Sequence, residues 1–292
     1  MAVLKADAYG HGAVRAARTV LLNGATMLGM ATLGEALALR RADIAAPILI
    51  LGYTPPWQMR EAVLGNISCT VFDAETAAAM SNTATATNTH ATMHVKVDTG
   101  VVRLGLLPAE VPAFLAYISR LPNITIEGVF THFATADEED ASFLTVQWGR
   151  FNALIAELER RDLRPAMVHA ANSAAALRYP QTRYDMVRAG IALYGLDSSA
   201  QSSAPAALLP VLSFHTEVDQ VHDVPANTPI SYGGTFITTR ASRIVTIQGE
   251  RRKKEKGKRF NAEAQKPQRR RFKSMLFSVF FTLNAALVRY ER

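Results

Sequence analysis

The sequence predicts an α/β fold: a (β/α)8 barrel of the TIM type, followed by a truncated β-rich domain and an unrelated basic tail. Three observations carry that expectation. Short apolar or β-branched runs alternate eight times with Ala/Leu/Arg-rich stretches of helical period. From Ala204 the pattern shortens to alternating segments broken by Pro, Asn and Gly. From Gly249 the chain turns basic and loses its core period.

The eight runs fall at 2–5, 27–33, 47–52, 68–72, 91–97, 124–131, 166–170 and 186–194, and read as parallel strands. Helices are expected between them at 12–22, 34–42, 58–64, 74–80, 108–121, 144–161 and 173–178. Eight βα units close a barrel; an open, doubly wound sheet is the alternative use of the same alternation. Segments 211–220, 231–237 and 242–248 read as antiparallel strands. The expected domains are a barrel over 1–203, an incomplete β domain over 204–248 and a tail over 249–292. Within the tail, 249–273 resembles a disordered linker. The apolar stretch 274–288 reads as a peripheral helix, because fifteen residues fall short of the roughly 20 that span a bilayer.

Composition narrows the function classes. At 292 residues and 49% hydrophobic content, the chain can bury a barrel-sized core. Its single cysteine, Cys69, forms no intrachain disulfide, and no charged-then-apolar leader opens the sequence, so a cytoplasmic location is expected. The net charge of +7 is local: residues 249–292 hold 14 Lys/Arg and 4 Glu, whereas 1–248 hold 18 basic and 21 acidic side chains. The tail lacks interleaved aromatics, so no specific nucleic-acid partner is expected, and no membrane span either. Residues 1–248 contain 16 Arg but only two Lys, Lys5 and Lys96.

In a barrel, functional side chains gather at the carboxyl ends of the strands. The first run continues as AVLKADAYGHG, with Lys5 at its end and a turn holding Tyr9, Gly10 and Gly12. The fifth leads into HVKVDTGVVRLG, the sixth into THFATAD, the seventh into HAANSAA, and the eighth carries DMVRAGIALYG. Glycine-rich fingerprints of the dinucleotide or Walker type are absent, and no metal site is assigned. Each side chain also has a structural alternative. Lys96 could be an exposed strand-end cation, Ser173 a helix N-cap, and Arg188 the partner of Asp185. His132 and His169 could be core histidines, and Tyr232, before Gly233-Gly234, a packed aromatic.

Taken together, these runs resemble the alanine racemase family, whose first motif is A-V-x-K-A-[ND]-A-Y-G-H-G; the resemblance extends from residue 2 to about residue 247. It implies pyridoxal 5'-phosphate (PLP) as cofactor, alanine as substrate and a homodimer. Lys5 would carry the cofactor's aldehyde as a Schiff base and then act as one catalytic base. Tyr9, Asn172, Ser173, Gly190 and Ile191 would surround the cofactor phosphate, and Arg188 would face its ring nitrogen with His169 behind it. Arg103 would lie near the phenolic oxygen and the substrate, oriented by a carbamylated Lys96. Tyr232, in ISYGGTF, would be the second base, entering the partner subunit's site with His132 as relay. Two bases on opposite faces of a planar carbanion are what inversion requires.

The family pattern also marks departures. Met1 stands directly on the first strand, and the G-Y-A-D-G run and M-D pair of the family's second domain do not follow Ile247, where QGERRKKEKGKRF stands instead. The lysine-rich change there suggests a frameshift, insertion or fusion. Val102 replaces a family glycine beside Arg103, a position where β-branching is costly if φ is positive. A PLP-binding barrel without turnover, or a decayed racemase remnant, is the alternative to an active racemase, and serine the alternative substrate.

Overall fold

A computed structural model describes residues 1–197, 208–212, 218–247, 277–282 and 285–290. The chain divides into two compact units, Met1–Leu212 and Ser213–Arg292, against the expected boundary at 203/204. Among the described residues no helix is long and apolar enough to cross a membrane.

In the first unit, seven parallel strands pair in chain order: β1 (Ala2–Val3), β2 (Leu28–Met30), β3 (Ile48–Tyr53), β4 (Ser68–Val71), β5 (Ala91–Lys96), β6 (Ile124–Phe130) and β7 (Met167–His169). An eighth extended segment closes the ring. The Asp185 and Arg188 amides donate to Val168 O and Ala171 O, each at 3.0 Å, while the Val3 amide donates to Ala189 O at 2.7 Å. Ala2 and Ala189 form a parallel bridge. Closure rules out the open sheet. The eighth run is shorter than expected, because at Gly190 the backbone leaves the extended region (φ −120°, ψ −95°) and enters a 3-10 turn, Ile191–Tyr194.

The strands are buried on both faces, which is why they read as continuous apolar runs: Ile48, Leu49 and Ile50 are inaccessible, as are Cys69, Thr70 and Val71 of β4. Among the described residues, seven helices pack outside: α1 (Ala13–Leu22), α2 (Leu33–Arg40), α3 (Met59–Leu64), α4 (Ala74–Ala86), α5 (Val111–Ile118), α6 (Ser142–Arg160) and α7 (Ser173–Arg178). Their starts follow from capping chemistry. Thr32 and Glu35 form a reciprocal capping box on α2, Asp73 accepts the Thr76 amide at 2.7 Å on α4, and Asn172 accepts the Ala175 amide at 3.0 Å on α7. Along α6, Leu144, Phe151, Leu154, Ile155 and Leu158 recur at helical spacing and are buried; each contributes about 1.5–3 kcal/mol.

The second unit is antiparallel, as its alternation predicts. Strand β8 (Val218–Val224) pairs with β11 (Ser242–Ile247), and β9 (Pro229–Ile230) with β10 (Phe236–Ile237). The apolar end of the chain is not a helix. It forms β12 (Phe277–Thr282) and β13 (Ala285–Tyr290), giving a sheet ordered β12-β13-β11-β8. Val279, Phe280, Phe281 and Thr282 favour a pleated strand, and that preference outweighs the length argument for a helix. The linker expected over 249–273 lies outside the described residues.

Candidate active site

At the carboxyl ends of the barrel strands lies a cavity of about 410 Å³, within the usual range for small-molecule sites. Lys5, Tyr9, Lys96, Arg103, His132, Asn172, Ser173, Arg188, Gly190 and Ile191 all line it, from strand ends far apart in sequence. His169 lies buried behind Arg188. Tyr232 belongs to the second unit, in a 3-10 turn, Tyr232–Gly234, where its side chain is 93% exposed rather than packed.

Lys5 stands at the entrance to an unusual turn. Ala6, Asp7, Ala8 and Tyr9 all have φ between +53° and +56°, a run of left-handed conformation in L-residues that costs about 1–2 kcal/mol each. Local bonds hold it. The Ala6 amide donates to Glu35 Oε1 at 2.8 Å, the Ala13 amide to Asp7 Oδ1 at 2.7 Å, and the Gly12 amide to Asp7 O at 2.9 Å. The result carries the chain sharply from β1 to α1, with the Lys5 Nζ 5.9 Å from the Tyr9 ring centre. Burial pushes the Tyr9 phenol above its ordinary pKa.

The wall formed by Lys96, Arg103 and Arg188 is cationic. Lys96, at the end of β5, is 5% exposed, so the exposed-cation alternative fails. Burial, with Arg188 and Arg103 adding to it against Asp98, brings its pKa down to about 7. Its Nζ donates to Val97 O at 3.1 Å and lies 5.0 Å from the Phe130 ring centre. The Arg188 guanidinium sits 5.4 Å from the same ring. Phe130 therefore offers its π-face to two cations that would otherwise only repel.

Arg188 is buried and has its terminal nitrogens fully engaged. Nη1 donates to His169 Nδ1 at 2.8 Å and His169 O at 3.1 Å; Nη2 donates to Thr131 O, Ala170 O and His132 Nδ1 at 2.7, 2.8 and 3.3 Å. Its Nε–H has no acceptor among the described residues, and the residue lines the cavity. Burial lowers its pKa to about 9, so it stays charged at neutral pH. Asp185 does not pair with it: Asp185 Oδ2 accepts from Arg164 Nη2 and the Val168 amide, both at 2.7 Å.

His132 is driven down to about 3 by burial and then by Arg188, Lys96, Arg103 and Lys5, and is neutral at pH 7. With Nδ1 accepting from Arg188, its proton sits on Nε2. On the far side, Ser173 is not the cap of α7; Asn172 is. Ser173 Oγ instead accepts the Gly190 and Ala192 amides at 2.8 and 3.3 Å, tying the start of α7 to the 3-10 turn. Arg103 is reached through a strained loop, since Val102 has φ +54°. The strand-end signals did not single out Phe130 or His94. Phe130 ends β6 immediately before THFATAD, and His94 lies two residues before Lys96 and so on the same strand face.

A family model, alanine racemase N-terminal domain, matches residues 1–198. An alanine racemase from Desulfovibrio desulfuricans is 45% identical over 245 residues, 84% of this chain and 66% of the relative; one from Symbiobacterium thermophilum is 42% identical over 247 residues, 85% of this chain and 66% of the relative. The chain thus spans just under two thirds of the length of these curated relatives. Among solved structures, alanine racemase from Clostridium difficile 630 superposes with a TM-score of 0.75 at 31% identity, covering 100% of this chain and 76% of its own. A histidine racemase from Leuconostoc mesenteroides superposes at 0.70 and 31% identity, covering 85% of this chain and 66% of its own.

Proposed function

This chain belongs to the alanine racemase family, and from that premise we propose that it interconverts L- and D-alanine with PLP held by Lys5, the second base being Tyr232 of another copy of the chain. The observation that carries the proposal is the convergence of Lys5, Lys96, Ser173 and Arg188 on one cavity.

The residues present fit the cofactor. Ser173 Oγ and the neighbouring Gly190 and Ile191, with Tyr9 and Asn172 beside them, suit a phosphate, and the Arg188 Nε–H suits a ring nitrogen. A β-carbon at Gly190 would stand 3.2 Å from the Tyr9 hydroxyl, so the glycine keeps this corner open. When bound, PLP supplies an electron sink that makes the Cα proton of an amino acid removable.

Lys5 would anchor the aldehyde, and its amine, when free, would take or return the Cα proton on one face. Arg188, which keeps its own protons at neutral pH, would donate to the ring nitrogen without protonating it, which would weaken the sink and favour return of the proton to Cα. His169 holds Arg188 from behind. Lys96, near pKa 7, has a neutral fraction that adds through its nitrogen pair to carbon dioxide, releasing a proton and leaving a carbamate anion. That anion orients Arg103 where an ammonium would repel it, and Arg103 in turn binds substrate. Tyr232 works on the other face, and His132, as an Nε2–H donor, stabilises its phenolate. In this arrangement the first unit holds the cofactor and the second supplies Tyr232, which requires a homodimer. A histidine racemase shares the scaffold, so the choice of alanine rests on the family and its relatives.

Borohydride reduction of the PLP-loaded protein, followed by peptide mapping, tests the anchor: the label is expected on Lys5 and is absent in Lys5→Ala. A label elsewhere, or none, rejects the proposal. Loss of L-alanine optical rotation tests the reaction itself and distinguishes a racemase from a barrel that only binds the cofactor.

A further inference from the structure

Two polar side chains that the proposed chemistry leaves unused, His94 and Glu127, are joined to Arg188. Glu127 Oε2 lies 2.9 Å from His94 Nε2, His94 Nδ1 lies 3.0 Å from His169 Nε2, and His169 Nδ1 lies 2.8 Å from Arg188 Nη1. These links cross β6, β5, β7 and the closing segment, and both imidazoles are fully buried.

Only one direction of this chain suits Arg188. A guanidinium only donates, so His169 Nδ1 accepts and the His169 proton sits on Nε2. His94 Nδ1 must then accept, placing its proton on Nε2, where the carboxylate receives it. The hydrogen bond from His94, opposed by partial burial, holds the Glu127 carboxyl below the ordinary range, so it remains an acceptor at neutral pH.

Two features of β6 make room for the arrangement. Met93 pairs with Ile126 and His94 with Gly128, which leaves Glu127 as the extra residue of a bulge; bulges re-aim side chains. At Gly128 a β-carbon would collide with the His94 ring, so the imidazole reaches His169 only because that side chain is missing. A glycine and a bulge adjacent to each other in a central strand weaken it, and both serve this contact.

We infer that Glu127 and His94 are positioning residues for Arg188: the one direction that the guanidinium admits is held only while the carboxylate receives the His94 Nε2 proton, so Glu127 keeps His169 an acceptor and Arg188 in one orientation toward the cavity. If His94 turned its proton toward His169, the proton on His169 would move to Nδ1 and oppose the Nη1 donor. The consequence for a cofactor ring nitrogen rests on the proposed role of Arg188; the direction of the chain does not.

Long-range proton–nitrogen NMR of the whole 292-residue chain, 15N-labelled at histidine and free of cofactor, reads the direction. At pH 7, His94 and His169 are each expected to show a protonated Nε2 and a bare Nδ1. Glu127→Gln, whose amide oxygen still accepts, keeps that pattern, and Glu127→Leu replaces it with tautomer-averaged signals. With PLP labelled at its ring nitrogen, the parent and Glu127→Gln share one nitrogen shift, and Glu127→Leu departs from it. A protonated Nδ1 in either ring of the parent, or a Glu127→Leu spectrum matching the parent's, overturns the inference. Should Glu127→Leu not fold, the parent and Glu127→Gln spectra decide. A protein that takes up no PLP would reject the proposed function, while the cofactor-free spectra still judge the chain.

Discussion

The Asp98 carboxylate accepts the amide of Val102 at 3.1 Å and thereby holds a β-branched residue at φ +54°. The same carboxylate takes the Gly100 and Arg103 amides at 2.8 and 3.2 Å; burial works against its charge, yet these bonds keep its pKa below the usual value. Val102 is 88% exposed and gains little from packing. Val102→Gly should therefore relieve strain and raise stability by about 1 kcal/mol. Urea denaturation checks it, and an unchanged or lower midpoint would show that the loop carries no such strain.

The buried cations set a pH dependence. Folding lowers Lys96 from 10.5 to about 7, so between those values the unfolded chain binds more protons and stability rises with pH. His132 falls from 6.5 to about 3, and the same sign applies in that lower window. Thermal melts from pH 4 to pH 10 in buffer free of carbon dioxide should show both rises. Lys96→Met should flatten the upper one and only narrow the lower, because burial and Arg188 act on His132 more strongly than Lys96 does; equal slopes above pH 7 in the two proteins would contradict the Lys96 shift.

Removing Arg188 has two separable effects. Arg188→Met leaves the carbonyls of Thr131, His169 and Ala170 without this donor, at a cost of about 3 kcal/mol or more. It also removes the largest charge acting on His132 after burial itself, so the His132 pKa should rise toward its ordinary range. A proton NMR titration of that ring reads the second effect independently of the first, and an unmoved His132 would reject it.

Tyr232 is exposed in the single chain, so Tyr232→Phe should leave stability within about 0.5 kcal/mol. Lys5 should still capture PLP. Racemisation should drop by about 10²–10⁴-fold, the range for losing a positioned acid–base group. An unaltered rate would reject Tyr232 as the second base.

The barrel was legible because double-sided burial writes each parallel strand as an uninterrupted apolar run between amphipathic helices. Helix ends were less so: α4 continues past Met80 to Ala86 although SNTATA has little apolar signal, since Ala84 reaches the core and Ser81 Oγ donates to Pro122 O at 2.7 Å. Strand-end position pointed to Lys5, Lys96, Arg188 and Ser173. Glu127 and His94 were hidden because their contact depends on strand register, which no single segment encodes. Local pointers existed, in the glycine interrupting ITIEGVF and in the i, i+2 spacing of His94 and Lys96.

The bridge between Ala2 and Ala189 joins the first strand to a segment almost a full unit away along the chain. Such a pairing is slow to find, because the entropy of closing so long a loop is lost before any contact compensates for it. A nascent chain that has left the ribosome only as far as His169 still lacks Arg188, Gly190 and the closing neighbour of its own first strand. Capture of a small molecule in this cavity would consequently serve as a clock for completed folding, starting only when the ring has shut.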